Sequence, residues 1–237
     1  LYLIDVKTKK KEKLIFNLDG IFTAAWSPDG NQLAFIGTQD GASDVYIYDV
    51  EAEELTALTN DIYSDSEPAW NNDGSKLVFV SDRKDDVTGQ NTPAAIVEHD
   101  YSQKDLYTID LVSGNINRLT ATEHNEDYPV WAHTEENTLF YVSDKDGVWN
   151  IYRHNLGTDP VAITNILTGT FQLSLTNDDS YLVFAGYADM GWDVYSMSHP
   201  LEREAMEVPV TRYVMKQDEG SEDLTDLRRH KRRQWST

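Results

Sequence analysis

No cysteine occurs among the 237 residues, which excludes a disulfide framework, a zinc–thiolate site and a thiol nucleophile together. Long hydrophobic runs are missing as well. The longest apolar stretches are four or five residues, such as Leu33-Ala34-Phe35-Ile36, far short of the roughly 18 to 20 that a membrane-spanning helix needs. Basic residues are scarce: 20 Lys and Arg stand against 41 Asp and Glu, for a net charge of -21. Half of the basic residues lie in two short clusters, Lys7 to Lys13 and Arg228 to Arg233, which leaves 10 basic and 39 acidic residues between positions 14 and 227. Such a body repels phosphate backbones, which argues against nucleic-acid binding. Its acidity is open to three readings, namely solubility, a bound cation or a basic partner. The chain begins Leu1-Tyr2-Leu3-Ile4-Asp5 without Met or a leader pattern and reads as a segment of something longer.

Catalytic signatures are also wanting. No Gly-x-Ser-x-Gly elbow and no His-Glu-x-x-His occurs, and the six histidines never fall at helical metal-ligand spacing. Asp144-Lys145-Asp146-Gly147 and Asp82-Arg83-Lys84-Asp85-Asp86 resemble fragments of a calcium loop, but they fall where hairpin turns favour Asp and Gly for backbone reasons. The expectation is therefore no cofactor, with calcium at an acidic mouth left open.

What the sequence does contain is a repeat. Ala25-Trp26-Ser27-Pro28-Asp29-Gly30, Ala69-Trp70-Asn71-Asn72-Asp73-Gly74, Val130-Trp131-Ala132-His133-Thr134-Glu135 and Ser174-Leu175-Thr176-Asn177-Asp178-Asp179 are equivalent. Each precedes an apolar run: Leu33 to Ile36, Leu77 to Val80, Leu139 to Val142 and Leu182 to Ala185. Then follow Asp44-Val45-Tyr46, Asp105-Leu106-Tyr107, Asn150-Ile151-Tyr152 and Asp193-Val194-Tyr195, and units close on Leu58-Thr59, Leu119-Thr120 and Ile163-Thr164, with Val210-Thr211 as a less clear fourth closure. Leu1 to Val6 overlays Val45 to Val50 and so forms the second half of a preceding unit. Trp26 to Trp70 and Trp131 to Leu175 are both 44 residues apart, while Trp70 to Trp131 is 61, so the second unit carries a 17-residue insertion between about Asp85 and Gln103. Short apolar runs punctuated by Pro-Asp-Gly and Asn-Asp-Gly turns at a period of about 44 predict an all-β chain, a β-propeller of four-stranded antiparallel blades.

The pattern Trp-Ser-Pro-Asp-Gly, aliphatic-Phe strand, Asp-aliphatic-Tyr, Leu-Thr resembles the TolB-type repeat of the Tol system's periplasmic protein. Similar repeats occur in the propellers of tricorn-like and prolyl-oligopeptidase-like peptidases. The resemblance covers roughly residues 1 to 212. It departs at His133-Thr134-Glu135-Glu136-Asn137, which replaces a compact turn, and at Leu175 and Asp178-Asp179, where Trp and Asp-Gly are usual. About four and a half blades are counted where such a ring has six or more, so its open edges are candidates for self-association. Residues 213 to 237 read as a polar, charged tail or linker.

The tryptophans and tyrosines at repeat positions are expected between blades. Trp149 and Trp192 lie outside that register. The connections into the second and third units, residues 61 to 68 and 122 to 129, differ most between units and gather at one mouth of the channel. Tyr63, Asp65, Glu67, Glu126, Asp127 and Tyr128 are the candidate partner-binding residues there, suited to a basic or polar protein or peptide; solvated loops are the plainer reading. The resemblance implies a non-catalytic scaffold in the periplasm or cell envelope. The alternatives are a substrate-gating propeller of a larger serine peptidase or other hydrolase, and a carbohydrate-binding propeller using Trp149 and Trp192.

Overall fold

The apolar runs of the repeat are strands, buried on both faces at Leu33 to Ile36, Leu77 to Val80 and Leu139 to Val142 and on one face at Leu182 to Ala185, and the alternation along each decides which neighbour a side chain meets. The computed structural model describes residues 1–90 and 99–211. The order is β1 (Tyr2–Ile4), β2 (Lys11–Lys13), β3 (Gly20–Trp26), β4 (Gln32–Gln39), β5 (Ala42–Asp49), β6 (Glu54–Ala57), β7 (Asp65–Trp70), β8 (Lys76–Ser81), β9 (Asp105–Asp110), β10 (Ile116–Arg118), β11 (Glu126–Trp131), β12 (Thr138–Ser143), β13 (Asn150–Asn155), β14 (Val161–Ala162), β15 (Thr170–Leu175), β16 (Tyr181–Ala188) and β17 (Gly191–Ser198). A single 3-10 turn follows at Pro200–Glu202. The strands pair antiparallel in chain order into three four-stranded blades, β3 to β6, β7 to β10 and β11 to β14, with a three-stranded blade β15 to β17 after them and the β1–β2 pair before them. The blades are arranged as a β-propeller, with β3, β7, β11 and β15 as successive inner strands.

Three cores lie between these blades. Ala34 and Ile36 of β4 meet Trp70, Leu77 and Phe79 of the next blade. Val78 and Val80, one residue out of phase on β8, meet Trp131, Leu139 and Tyr141. Phe140 and Val142 meet Leu182 and Phe184 in turn. Each fully buried side chain of this kind contributes about 1.5–3 kcal/mol.

The repeated Asp-aliphatic and Leu-Thr elements form a lock. The Thr59, Thr120 and Thr164 hydroxyls accept the N–H of Val45, Leu106 and Ile151, each at 2.8 Å. In return Asp44, Asp105 and Asn150 accept the N–H two residues beyond the threonine, from Asp61, Thr122 and Ile166. The outer strand is thereby fastened to the start of the third strand in each complete blade.

The last unit differs from expectation. Its third strand β17 has no fourth strand beside it among the described residues, and Val194 is 79% exposed. Val210-Thr211 does not close it. Residues 199–211 instead run along the outer edge of the preceding blade, where Met206 N–H donates to Ala162 O at 2.8 Å and Thr211 N–H to Asp146 O at 3.0 Å. Tyr46, Tyr107 and Tyr152 are buried as the repeat implies, but Tyr2 and Tyr195, on the two incomplete sheets, are exposed. Trp70 and Trp131 are buried between blades, and Trp70 Nε1–H donates to Ala25 O at 3.0 Å. Trp26 is half exposed, since β1 and β2 cover Leu33, Phe35, Tyr46 and Tyr48 but place no inner strand against it. Residues 212–237 and most of the apolar part of the insertion, 91–98, lie outside the described residues.

Candidate functional site

The inner strands share one irregularity. Antiparallel register breaks between Phe22 and Ala24, Ser66 and Ala69, Asp127 and Val130, and Phe171 and Ser174. At each break a non-glycine residue three positions before the Trp column has positive φ: Thr23 (31°), Glu67 (51°), Tyr128 (52°) and Gln172 (56°). Side chains pay for this conformation with roughly 1–3 kcal/mol each, and bulges characteristically re-aim a side chain. All four line a cleft of about 580 Å3 between the inner strands, together with Trp70, Trp131 and His133.

The electrostatics of the cleft are acidic. Burial, reinforced by neighbouring Asp127 and opposed by Lys104, pushes the Glu67 carboxyl up to about 7. Burial also raises Asp127, against the pull of Lys104, whose ammonium is 3.8 Å away. The Tyr128 phenol is raised by burial and then by Asp127 and Glu67. An aromatic series continues from Tyr128: its ring stands edge-on to Phe171 at 6.3 Å, Phe171 meets Trp149 at 6.2 Å and Trp192 at 5.2 Å, and Trp192 meets Tyr187 at 5.3 Å. Trp192 is 59% exposed.

The six candidate residues do not act as one group. Five lie in strands rather than in the connections, and three are interior. Asp65 is buried under Arg83, which donates to both of its carboxylate oxygens at 2.7 and 2.8 Å, to Asp61 at 2.9 Å and to Ser81 Oγ at 3.0 Å. Tyr63 is buried too: its ring packs on the Arg83 guanidinium at 5.4 Å and its hydroxyl donates to Asp86 at 2.9 Å. Glu126 occupies the position of Asp65 in the next blade, but the residue matching Arg83 there is Lys145, which is exposed. The Glu126 carboxylate accepts from Thr122 Oγ1 at 2.9 Å and Ser143 Oγ at 3.4 Å, its Oε2 is buried without a hydrogen bond among the described residues, and burial raises it to about 7. Strand alternation turns Asp65 and Glu126 inward, and the connection before β7 buries Tyr63 against Arg83, so these three serve packing and electrostatics. Glu67 and Tyr128 line the cleft, and Asp127 stands beside them.

Thr23, Gln172 and His133 were not anticipated. The repeat register held the signal for the first two: aligned on the Trp column, the bulge column reads Thr, Glu, Tyr, Gln just before an apolar column of Ala24, Pro68, Pro129 and Leu173. The calcium-like fragments form turns, closed by Gly147 N–H to Asp144 O at 2.7 Å and Asp86 N–H to Arg83 O at 3.1 Å, and their carboxylates face other segments: Asp144 accepts Asn125 N–H, Asp146 the Tyr152 hydroxyl and Asp82 Ser64 N–H. Among the described residues no three His, Asp or Glu side chains are grouped to hold a metal ion.

Residues 1–92 match the family model of the TolB beta propeller domain. Solved structures sharing the fold include TolB from Acinetobacter baumannii, with TM-score 0.63 and 16% identity over 83% of this chain and 45% of that one. Putative TolB from Agrobacterium tumefaciens gives TM-score 0.66 and 20% identity over 81% of this chain and 67% of that one. Puromycin hydrolase gives 0.60 and 13% over 87% of this chain and 31% of its own. The chain therefore spans less than half of the first of these proteins and under a third of the last. Comparison with curated proteins gives no match.

Proposed function

From the premise that this chain is built of TolB-type propeller repeats, we propose that it is a non-catalytic scaffold that binds a protein or peptide segment in the cleft between its inner strands, in the bacterial cell envelope. The observation that carries the reading is the bulge column. Four strained, non-glycine residues of different chemistry, Thr23, Glu67, Tyr128 and Gln172, are turned into one cleft, while the positions around them are conventional strand. Packing alone asks for no such residues, and a ligand-reading surface does. The excess of carboxylates over ammonium groups in the cleft favours a basic or polar segment, and Tyr128 supplies rigid contact area at low entropic cost. The envelope assignment follows from the repeat family.

A random peptide library displayed on phage and selected against the purified chain tests this. Enrichment of basic sequences that lose affinity at least tenfold for Glu67→Arg and Tyr128→Ala is expected. Enriched peptides indifferent to both substitutions, or no enrichment, contradict the reading.

A further inference from the structure

We propose that Glu67 is the cation-reading residue of the cleft, and that the alkylammonium group of a bound peptide displaces a proton from it. This rests on the binding reading above and adds the chemistry by which that cleft selects and is regulated. Of the four bulged residues, Glu67 alone carries a charge. It makes no hydrogen bond or ion pair among the described residues, although the bulge at φ 51° holds it half-buried in the cleft. The groups that face it are Asp127 and Tyr128 from β11 and Lys104 just before β9, with His133, just after β11, lining the same cleft, while Thr23 and Gln172 from β3 and β15 are neutral. Lys104 is already committed to Asp127 at 3.8 Å. Two carboxylates thus share one ammonium.

A half-buried carboxylate in that position lacks the counter-charge that desolvation demands, and it meets the demand with a proton. An incoming ammonium replaces that proton: the O–H of Glu67 gives its proton to solvent, and the carboxylate accepts an N–H of the ligand instead. Tyr128 offers a ring for the aliphatic stem behind the charge. Anionic ligands are repelled by the same pair.

The test uses the purified chain with 13C-labelled Glu carboxyl groups and three probes: acetylated and amidated Gly-Lys-Gly, its norleucine analogue, and the norleucine analogue with a free amino terminus. Glu67 is identified by the signal lost in Glu67→Gln. The lysine probe is expected to lower the Glu67 titration midpoint by a unit or more and to bind about tenfold more tightly at pH 8 than at pH 6, as for a ligand that sees only the ionised fraction. The norleucine probe leaves the midpoint in place, Glu67→Gln removes the pH dependence, and the free-amino probe tells an N-terminal ammonium from a side-chain one. If the lysine probe shifts the signals of Tyr128 and Gln172 but leaves the Glu67 midpoint unmoved, the cleft binds peptides and this proposal fails. If no probe perturbs any cleft residue, the binding reading fails with it.

Discussion

The carboxylate of Asp179 accepts hydrogen bonds from both the backbone N–H and the hydroxyl of Thr134 across a blade boundary, each at 2.6 Å, and a further one from His133 N–H at 2.9 Å. Asp179 and Thr134 lie in the two turns that depart from the repeat, and the departures explain one another. Asp179 takes the positive-φ place that Gly30 and Gly74 fill in other units, at φ 54°, and repays its strain by tying the third blade to the fourth. Asp179→Gly relieves the backbone and loses the tie. A net destabilisation of about 1–3 kcal/mol is expected in urea denaturation; an unchanged or raised midpoint would show that the tie is dispensable.

The Thr lock makes a paired prediction. Thr120→Val keeps the shape but strands the buried N–H of Leu106, at a cost of about 1–3 kcal/mol. Thr211→Val should be neutral or slightly stabilising, because the Thr211 hydroxyl is buried without a partner among the described residues and fastens no strand of them. Equal effects of the two substitutions in thermal melts would remove the distinction between true and apparent closures.

Arg83 is buried with Asp61 and Asp65 on its guanidinium and the rings of Tyr63, Phe79 and Tyr107 around it. Arg83→Met leaves two carboxylates uncompensated and should cost about 3–5 kcal/mol; adding Asp65→Leu should recover part of it. Denaturation of both variants checks this, and a double variant no better than the single one would contradict it.

Stability should fall from pH 5 to pH 8. Glu126 is raised from 4.5 to about 7, so the folded chain holds a proton that the unfolded chain has released. The stability this gives is fully present below pH 4.5 and is lost as pH rises through 7, a swing on the order of 3 kcal/mol. Burial raises Glu67 and Asp65 in the same sense. Glu126→Gln should flatten the profile, which unfolding free energies at four pH values would reveal.

The fold was legible in the sequence because the second and third strands of the three complete blades are largely buried on both faces, and that forces the same residue types into the same columns. Trp70, Phe79 and Tyr107 sit where their columns predict. The site was only partly legible. Asp65 and Glu67 are two residues apart in β7, yet one is sealed under Arg83 and the other lines the cleft, since the bulge between Ser66 and Ala69 resets which way side chains turn. Positive φ at Thr23, Glu67, Tyr128 and Gln172 leaves no mark in residue type, as none is glycine. Val210-Thr211 misled because an aliphatic-Thr pair marks a closure only when the strand before it pairs with the third strand.

The central claim is that the bulge column of the cleft receives the ligand, and a spin-labelled copy of a library-selected peptide tests it most directly. The account predicts paramagnetic broadening of Thr23, Glu67, Tyr128 and Gln172 with Gly114 and Val194 unaffected. Broadening centred on the open edge of β17 around Val194, with the four cleft residues untouched, would contradict it.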